Sequence, residues 1–109
     1  MKSMILDERV QGILQMIKSG TTFAVSDLAI KFHLSSSYLR RLFKRQTGAS
    51  IRELLNDQKL QRAAKLLANS NMSVKEIAYS VGYGHTSSFI RAFERCFTRA
   101  PARYRRQKR

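Results

Sequence analysis

The chain describes the same helix-turn-helix twice. The first copy reads Leu28-Ala29-Ile30-Lys31-Phe32-His33-Leu34, then three serines, then Tyr38-Leu39-Arg40-Arg41-Leu42-Phe43-Lys44-Arg45. The second reads Ile77-Ala78-Tyr79-Ser80-Val81-Gly82-Tyr83, a polar run from 84 to 88, then Phe89-Ile90-Arg91-Ala92-Phe93-Glu94-Arg95-Cys96-Phe97. Leu28, Ala29 and Phe32 fall on Ile77, Ala78 and Val81 at an offset of 49. Leu39 and Phe43 fall on Phe89 and Phe93 at an offset of 50, so the second turn holds one extra residue. A short helix, a turn and a second helix with an exposed polar face can place that second helix in a DNA major groove. Two such units predict an all-α fold with two recognition helices.

Apolar spacing and capping signals place the remaining elements. Residues 5–19 carry Ile5, Val10, Ile13, Leu14, Met16 and Ile17 at helical spacing and stop at Gly20. A helix over 25–32 follows, with His33 and Leu34 making the turn. Ser35 is the expected N-cap of the next helix, which runs to about Gln46 and ends at Gly48. Ser50-Ile51-Arg52-Glu53 is a capping box that opens a long helix over 50–67, and Ser73-Val74-Lys75-Glu76 is a second one. Pro101 starts a short final helix to about Arg106, and the basic tail 103–109 is expected to fray.

About seven helices result. The expected organisation is one DNA-binding domain over 1–109: a first helix-turn-helix unit over 5–48, a linker helix over 50–67 and a second unit over 73–106. Eighteen positions of helix measure about 27 Å at about 1.5 Å per residue. Major grooves on one face of DNA recur every ~34 Å, so a stiff spacer of this size suits two successive grooves. Its apolar stripe is also expected to pack both units.

Charge identifies the class of partner. Twenty-one Lys and Arg face seven Asp and Glu, a formal charge of +14. A field of that sign attracts polyanions. At 109 residues the chain has room for one domain, or two very small ones sharing an element. The single cysteine, Cys96, cannot form an internal disulfide, which fits a reducing compartment. No apolar run is long enough for a membrane span, and the N-terminus lacks the apolar core of a signal peptide. His33 and His85 have no ligand-spaced partner, so no metal or other cofactor is expected. Without a Gly-rich phosphate loop or a His-carboxylate constellation, the chain does not read as an enzyme. The competing reading is a small basic RNA-binding protein. Such modules display exposed aromatics for base stacking, whereas Phe43, Phe89 and Phe93 lie on apolar stripes.

Periodicity selects the contacting faces. In the first recognition helix Leu39, Leu42 and Phe43 form the inward stripe, so Ser37, Arg40, Arg41 and Lys44 point together the other way. In the second, Phe89, Ala92, Phe93 and Cys96 are expected to turn inward, leaving Ser87, Ser88, Arg91 and Arg95 outside. Cys96 is then read as a small apolar packing residue. Arginine reads guanine bidentately, which favours Arg40, Arg41 and Arg91 as base readers. Lys44, Arg45 and Arg95 are expected at phosphates, joined by Lys31, by Ser36, and by His85 at the helix start.

These residues also carry a resemblance. The chain resembles the DNA-binding domain of AraC/XylS-type bacterial transcription regulators over about residues 5–106. It matches the family's C-terminal pattern at Ala78, Gly82, Tyr83, Phe89, Arg91, Phe93, Phe97, Pro101, Tyr104 and Arg105, with Ser87 or Ser88 as its serine. The resemblance implies base contacts from Ser37, Arg40 and Arg41 in the first unit and from Thr86, Ser87, Ser88 and Arg91 in the second. It further implies double-stranded DNA and RNA polymerase as partners, activation of transcription, and a bacterial cytoplasmic protein on the nucleoid. The isolated domain is expected to be monomeric. It is expected to be a fragment of a longer regulator able to dimerise through another domain, although autonomous members of this size exist. Two positions depart from the pattern. Thr98 replaces the usual glycine and predicts a mildly strained cap, and Glu94 is expected to weaken a backbone contact.

Overall fold

A computed structural model describes residues 7–20 and 24–109. Ile5 of the expected first helix lies outside them. Among the described residues there are seven helices and no strand: α1 (Glu8–Ser19), α2 (Val25–Lys31), α3 (Ser36–Thr47), α4 (Ile51–Asn69), α5 (Val74–Ser80), α6 (Thr86–Phe97) and α7 (Pro101–Lys108). The fold is all-α, as the periodicity predicts. No described helix is long and apolar enough to cross a membrane.

Local chemistry explains most helix ends. Asp7 caps α1 by accepting from the Arg9 N–H at 2.7 Å, and Ser35 caps α3 through the Tyr38 N–H at 3.1 Å. Both capping boxes form. Ser50 accepts from the Glu53 N–H at 3.0 Å while the Glu53 carboxylate accepts from the Ser50 N–H at 3.4 Å. Ser73 and Glu76 repeat the exchange at 3.0 and 2.8 Å. The Glu76 carboxyl is held below the usual range, chiefly by the Ser73 backbone N–H.

The chain divides into two compact units between Gln58 and Lys59, inside α4. In the first unit Val10, Ile13, Ile17, Leu28, Ala29, Leu39, Leu42, Phe43, Ile51 and Leu55 form a continuous core. The second is built on Leu60, Ala63, Ala64, Leu67, Ile77, Ala78, Val81, Phe89 and Phe93. The residues that the internal repeat aligns lie in these cores, except Phe32, which is half-buried against the first, so the repeated pattern is a repeated packing arrangement.

Two expectations fail at the C-terminus. Cys96 is exposed. Phe97 takes the inward place instead, stacked on Phe93 at 4.5 Å and edge-on to Tyr104 at 5.3 Å. An aromatic ring removes far more apolar surface from water than a thiol, so the larger side chain takes the half-buried place against the core. The basic tail is also no frayed end, because α7 continues to Lys108. Pro101 is buried at its first position, and Tyr104 packs edge-on against Phe93 at 5.4 Å.

Candidate nucleic-acid interface

The second helix of the first helix-turn-helix is α3, and its buried stripe of Leu39, Leu42 and Phe43 fixes which side meets solvent. Ser37, Arg40, Arg41, Lys44 and Arg45 are all exposed, and Ser36 is half-buried. Lys31, in the last turn of α2, is exposed as well. The arginines Arg40 and Arg41 are therefore presented to solvent with Lys44 one turn on, and α3 contains no acidic residue to oppose them. A face of this kind attracts phosphates and can offer guanidinium forks to base edges.

Its counterpart in the second unit, α6, is anchored by fully buried Phe89 and Phe93. Ser87, Arg91 and Arg95 are exposed, Thr86 and Ser88 half-buried, and Ala92 half-buried at the margin of the stripe. His85 occupies the N-cap position, exposed, and its side chain makes no capping hydrogen bond. Glu94 lies exposed between Arg91 and Arg95 and reduces the positive field of this face relative to α3.

The turns show a symmetry that composition conceals. In the second unit the turn after α5 uses Gly82 at φ 102°, whereas the first unit has His33 at φ 59° in the aligned place. The helices α3 and α6 reverse the choice. α3 ends on Gly48 at φ 82°, and α6 ends on Thr98 at φ 60°. Among the described residues each unit thus holds one non-glycine residue in the left-handed region. The strained cap expected at Thr98 is present; the strain at His33 was not foreseen.

Residues outside α3 and α6 hold these helices in place. Arg9 pairs with Asp7 at 3.0 Å and lies over the ring of Tyr38 on α3, 5.9 Å from its centroid. Hydrogen bonding to Arg9 keeps the Asp7 carboxyl below its ordinary value. The Asp7 backbone N–H donates to the Gln46 side chain at 2.6 Å, joining the start of α1 to the last turn of α3. In the second unit Tyr83 stacks edge-on against Phe89 at 5.5 Å, with the Lys59 ammonium 5.7 Å from its ring centre. The Tyr83 hydroxyl is buried with no hydrogen-bond partner among the described residues, and burial raises its pKa. Periodicity within the two motifs does not supply Arg9 and Lys59, which meet Tyr38 and Tyr83 from outside them.

No group of three or more His, Cys, Asp or Glu suited to a metal ion occurs among the described residues. Two helix-turn-helix cores with solvent-facing cationic helices define a DNA-binding protein, and the comparisons give it a family. The helix-turn-helix domain model matches residues 28–107. The Msm operon regulatory protein of Streptococcus mutans is 35% identical over 88 residues, covering 81% of this chain and 32% of that protein. The C-terminal domain of AraT, a response regulator from Geobacillus stearothermophilus, superposes with a TM-score of 0.80 at 30% identity, over 94% of this chain and 87% of that one. The DNA-binding domain of the global transcriptional factor AdpA, solved in complex with a target DNA, gives 0.76 at 26% identity, over 93% and 92%. The chain belongs to the AraC-type family of DNA-binding transcription regulators. Family and fold are those of DNA-binding regulators and not of enzymes. The chain spans about a third of the length of the Streptococcus relative.

Proposed function

We propose that this chain reads an asymmetric duplex site with α3 and α6 in successive major grooves, Ser37, Arg40, Arg41, Thr86, Ser87, Ser88 and Arg91 meeting base edges. Lys31, Ser36, Lys44, Arg45, His85 and Arg95 meet phosphates. The carrying observation is that each unit buries its own apolar stripe and leaves one polar, cation-bearing helix face exposed. Two nonidentical recognition helices in one chain need no second copy to fill two grooves, so binding is one chain per site. In the cell this is a cytoplasmic, nucleoid-associated regulator that activates transcription through RNA polymerase. Those last roles rest on the family resemblance alone.

The test begins with duplexes selected from a random pool, then footprints them and titrates salt. One chain should protect about two turns of an asymmetric site. If the exposed cations neutralise about five to eight phosphates, log K falls against log salt with a slope of roughly −4.5 to −7. A nearly flat salt response, or two chains on a palindrome, overturns the reading.

A further inference from the structure

The internal repeat extends beyond the two helix-turn-helix cores. At the offset of 50, Val10, Ile13 and Ile17 of α1 fall on Leu60, Ala63 and Leu67 in the second half of α4, and all six are buried. Ile51 and Leu55, early in α4, fall on Pro101 and Arg105 of α7. Each unit therefore has a first helix, a helix-turn-helix and a closing helix. α4 closes the first unit and opens the second.

Both closing helices send a side chain to the same carbonyl of the repeat. Gln58 Nε2 donates to the Ile17 carbonyl at 2.8 Å, and Arg105 Nε donates to the Leu67 carbonyl at 3.0 Å. Arg105 goes further: its Nη2 donates to the Ser70 carbonyl at 3.2 Å and the Met72 carbonyl at 2.6 Å. Its guanidinium spans the whole connection from the end of α4 to the N-cap of α5.

The two first helices end differently, which explains the demand for a cation. α1 ends on Gly20 in the left-handed region, whose N–H meets the Ile17 and Met16 carbonyls, and Lys18 lies in its last turn. α4 runs into Ser70 with no basic residue in its last turn. Its orphan carbonyls and the negative end of its dipole are met from α7 by a permanently charged fork. The residue before that fork, Tyr104, packs on Phe93 and Phe97 of α6. Two adjacent residues of α7 thus join the recognition helix to the connection between α4 and α5.

We propose that Arg105 is a positioning residue for the second recognition helix, acting through the carbonyls of Leu67, Ser70 and Met72 and not by touching nucleic acid. Although it lies in an arginine-rich tail, its guanidinium is engaged with backbone carbonyls of its own unit. The inference rests on the DNA-reading function proposed above. The test compares the whole chain with Arg105→Ala, Arg105→Lys, Arg91→Ala and Arg106→Ala on one selected duplex. Circular dichroism at the assay temperature verifies folding.

Arg91→Ala defines the half of the site read by α6; if it changes nothing there, the base-reading assignment fails and not the positioning role. Arg105→Ala is expected to weaken binding about tenfold and to lose protection in that half only, the salt slope becoming shallower because the phosphate contacts of α6 are lost with it. Arg105→Lys keeps a charge but cannot span three carbonyls, so it loses the same half. It also gives an answer if the alanine variant does not fold. Arg106→Ala leaves the footprint intact. Without DNA, amide exchange over residues 70–76 should rise in Arg105→Lys. Unchanged exchange and footprint in folded variants overturns the proposal, as does uniform weakening of both halves with a slope shallower by about one.

Discussion

Helices α3 and α6 end 50 positions apart in nearly the same backbone conformation, on residues of opposite suitability. Gly48 sits at φ 82° and ψ −9°, Thr98 at φ 60° and ψ 19°. An L residue in the left-handed region costs about 1–2 kcal/mol, and a β-branched one is a genuine outlier there. Thr98→Gly removes that cost but adds unfolded-state freedom worth roughly 0.5–1 kcal/mol. The lost hydrogen bond from Thr98 Oγ1 to the Phe97 carbonyl, 2.6 Å long, is exposed and water replaces it. The net expectation is a gain of about 0.5–1 kcal/mol. Gly48→Ala supplies the reciprocal. A Cβ built there meets nothing within 4 Å, so backbone conformation alone decides, and the loss should be about 0.5–1 kcal/mol. Urea titrations of both variants, with amide exchange assigning the change to a unit, measure this directly. The midpoints should move in opposite directions at unchanged m. If Thr98→Gly is neutral or destabilising, the left-handed cap is not a source of strain and the argument is wrong.

Other outcomes follow from the same geometry. Because α3 exposes Arg40, Arg41, Lys44 and Arg45 while α6 offers hydroxyls, Arg91 and the opposing Glu94, the first unit should carry most base discrimination. Arg40→Ala or Arg41→Ala should cost about 1–3 kcal/mol in specific binding and relax one or two base pairs. A larger loss from Ser87→Ala or Ser88→Ala in the same binding assay would reverse that division. The depressed Glu76 carboxyl makes the second unit acid-sensitive. A lowered folded pKa contributes stability above the unfolded carboxylate value and loses it as pH falls through the folded one. In urea titrations from about pH 6 to pH 3, Glu76→Gln should therefore flatten the decline of the second unit; an unchanged pH profile would exclude the capping box as its cause.

How much was legible beforehand depends on the range of the interaction concerned. Helix starts at Ser35, Ser50 and Ser73 are written in the sequence because a cap joins residues three apart. The exposed faces of α3 and α6 follow from helical periodicity, since burying Leu39, Leu42 and Phe43, or Phe89 and Phe93, leaves only one orientation for the arginines. Cys96 shows where that logic ends: two neighbouring positions compete for the edge of the stripe, and Tyr104 on another helix decides for Phe97. His33 reads as an ordinary turn residue until backbone geometry places it where the repeat elsewhere uses glycine. Pro101 announces a final helix, but nothing within α7 announces that Arg105 will meet the end of α4, with Leu67 lying 38 positions earlier. Contacts within a few residues are encoded by local spacing, whereas a hydrogen bond across such a separation exists only after packing has brought both ends together.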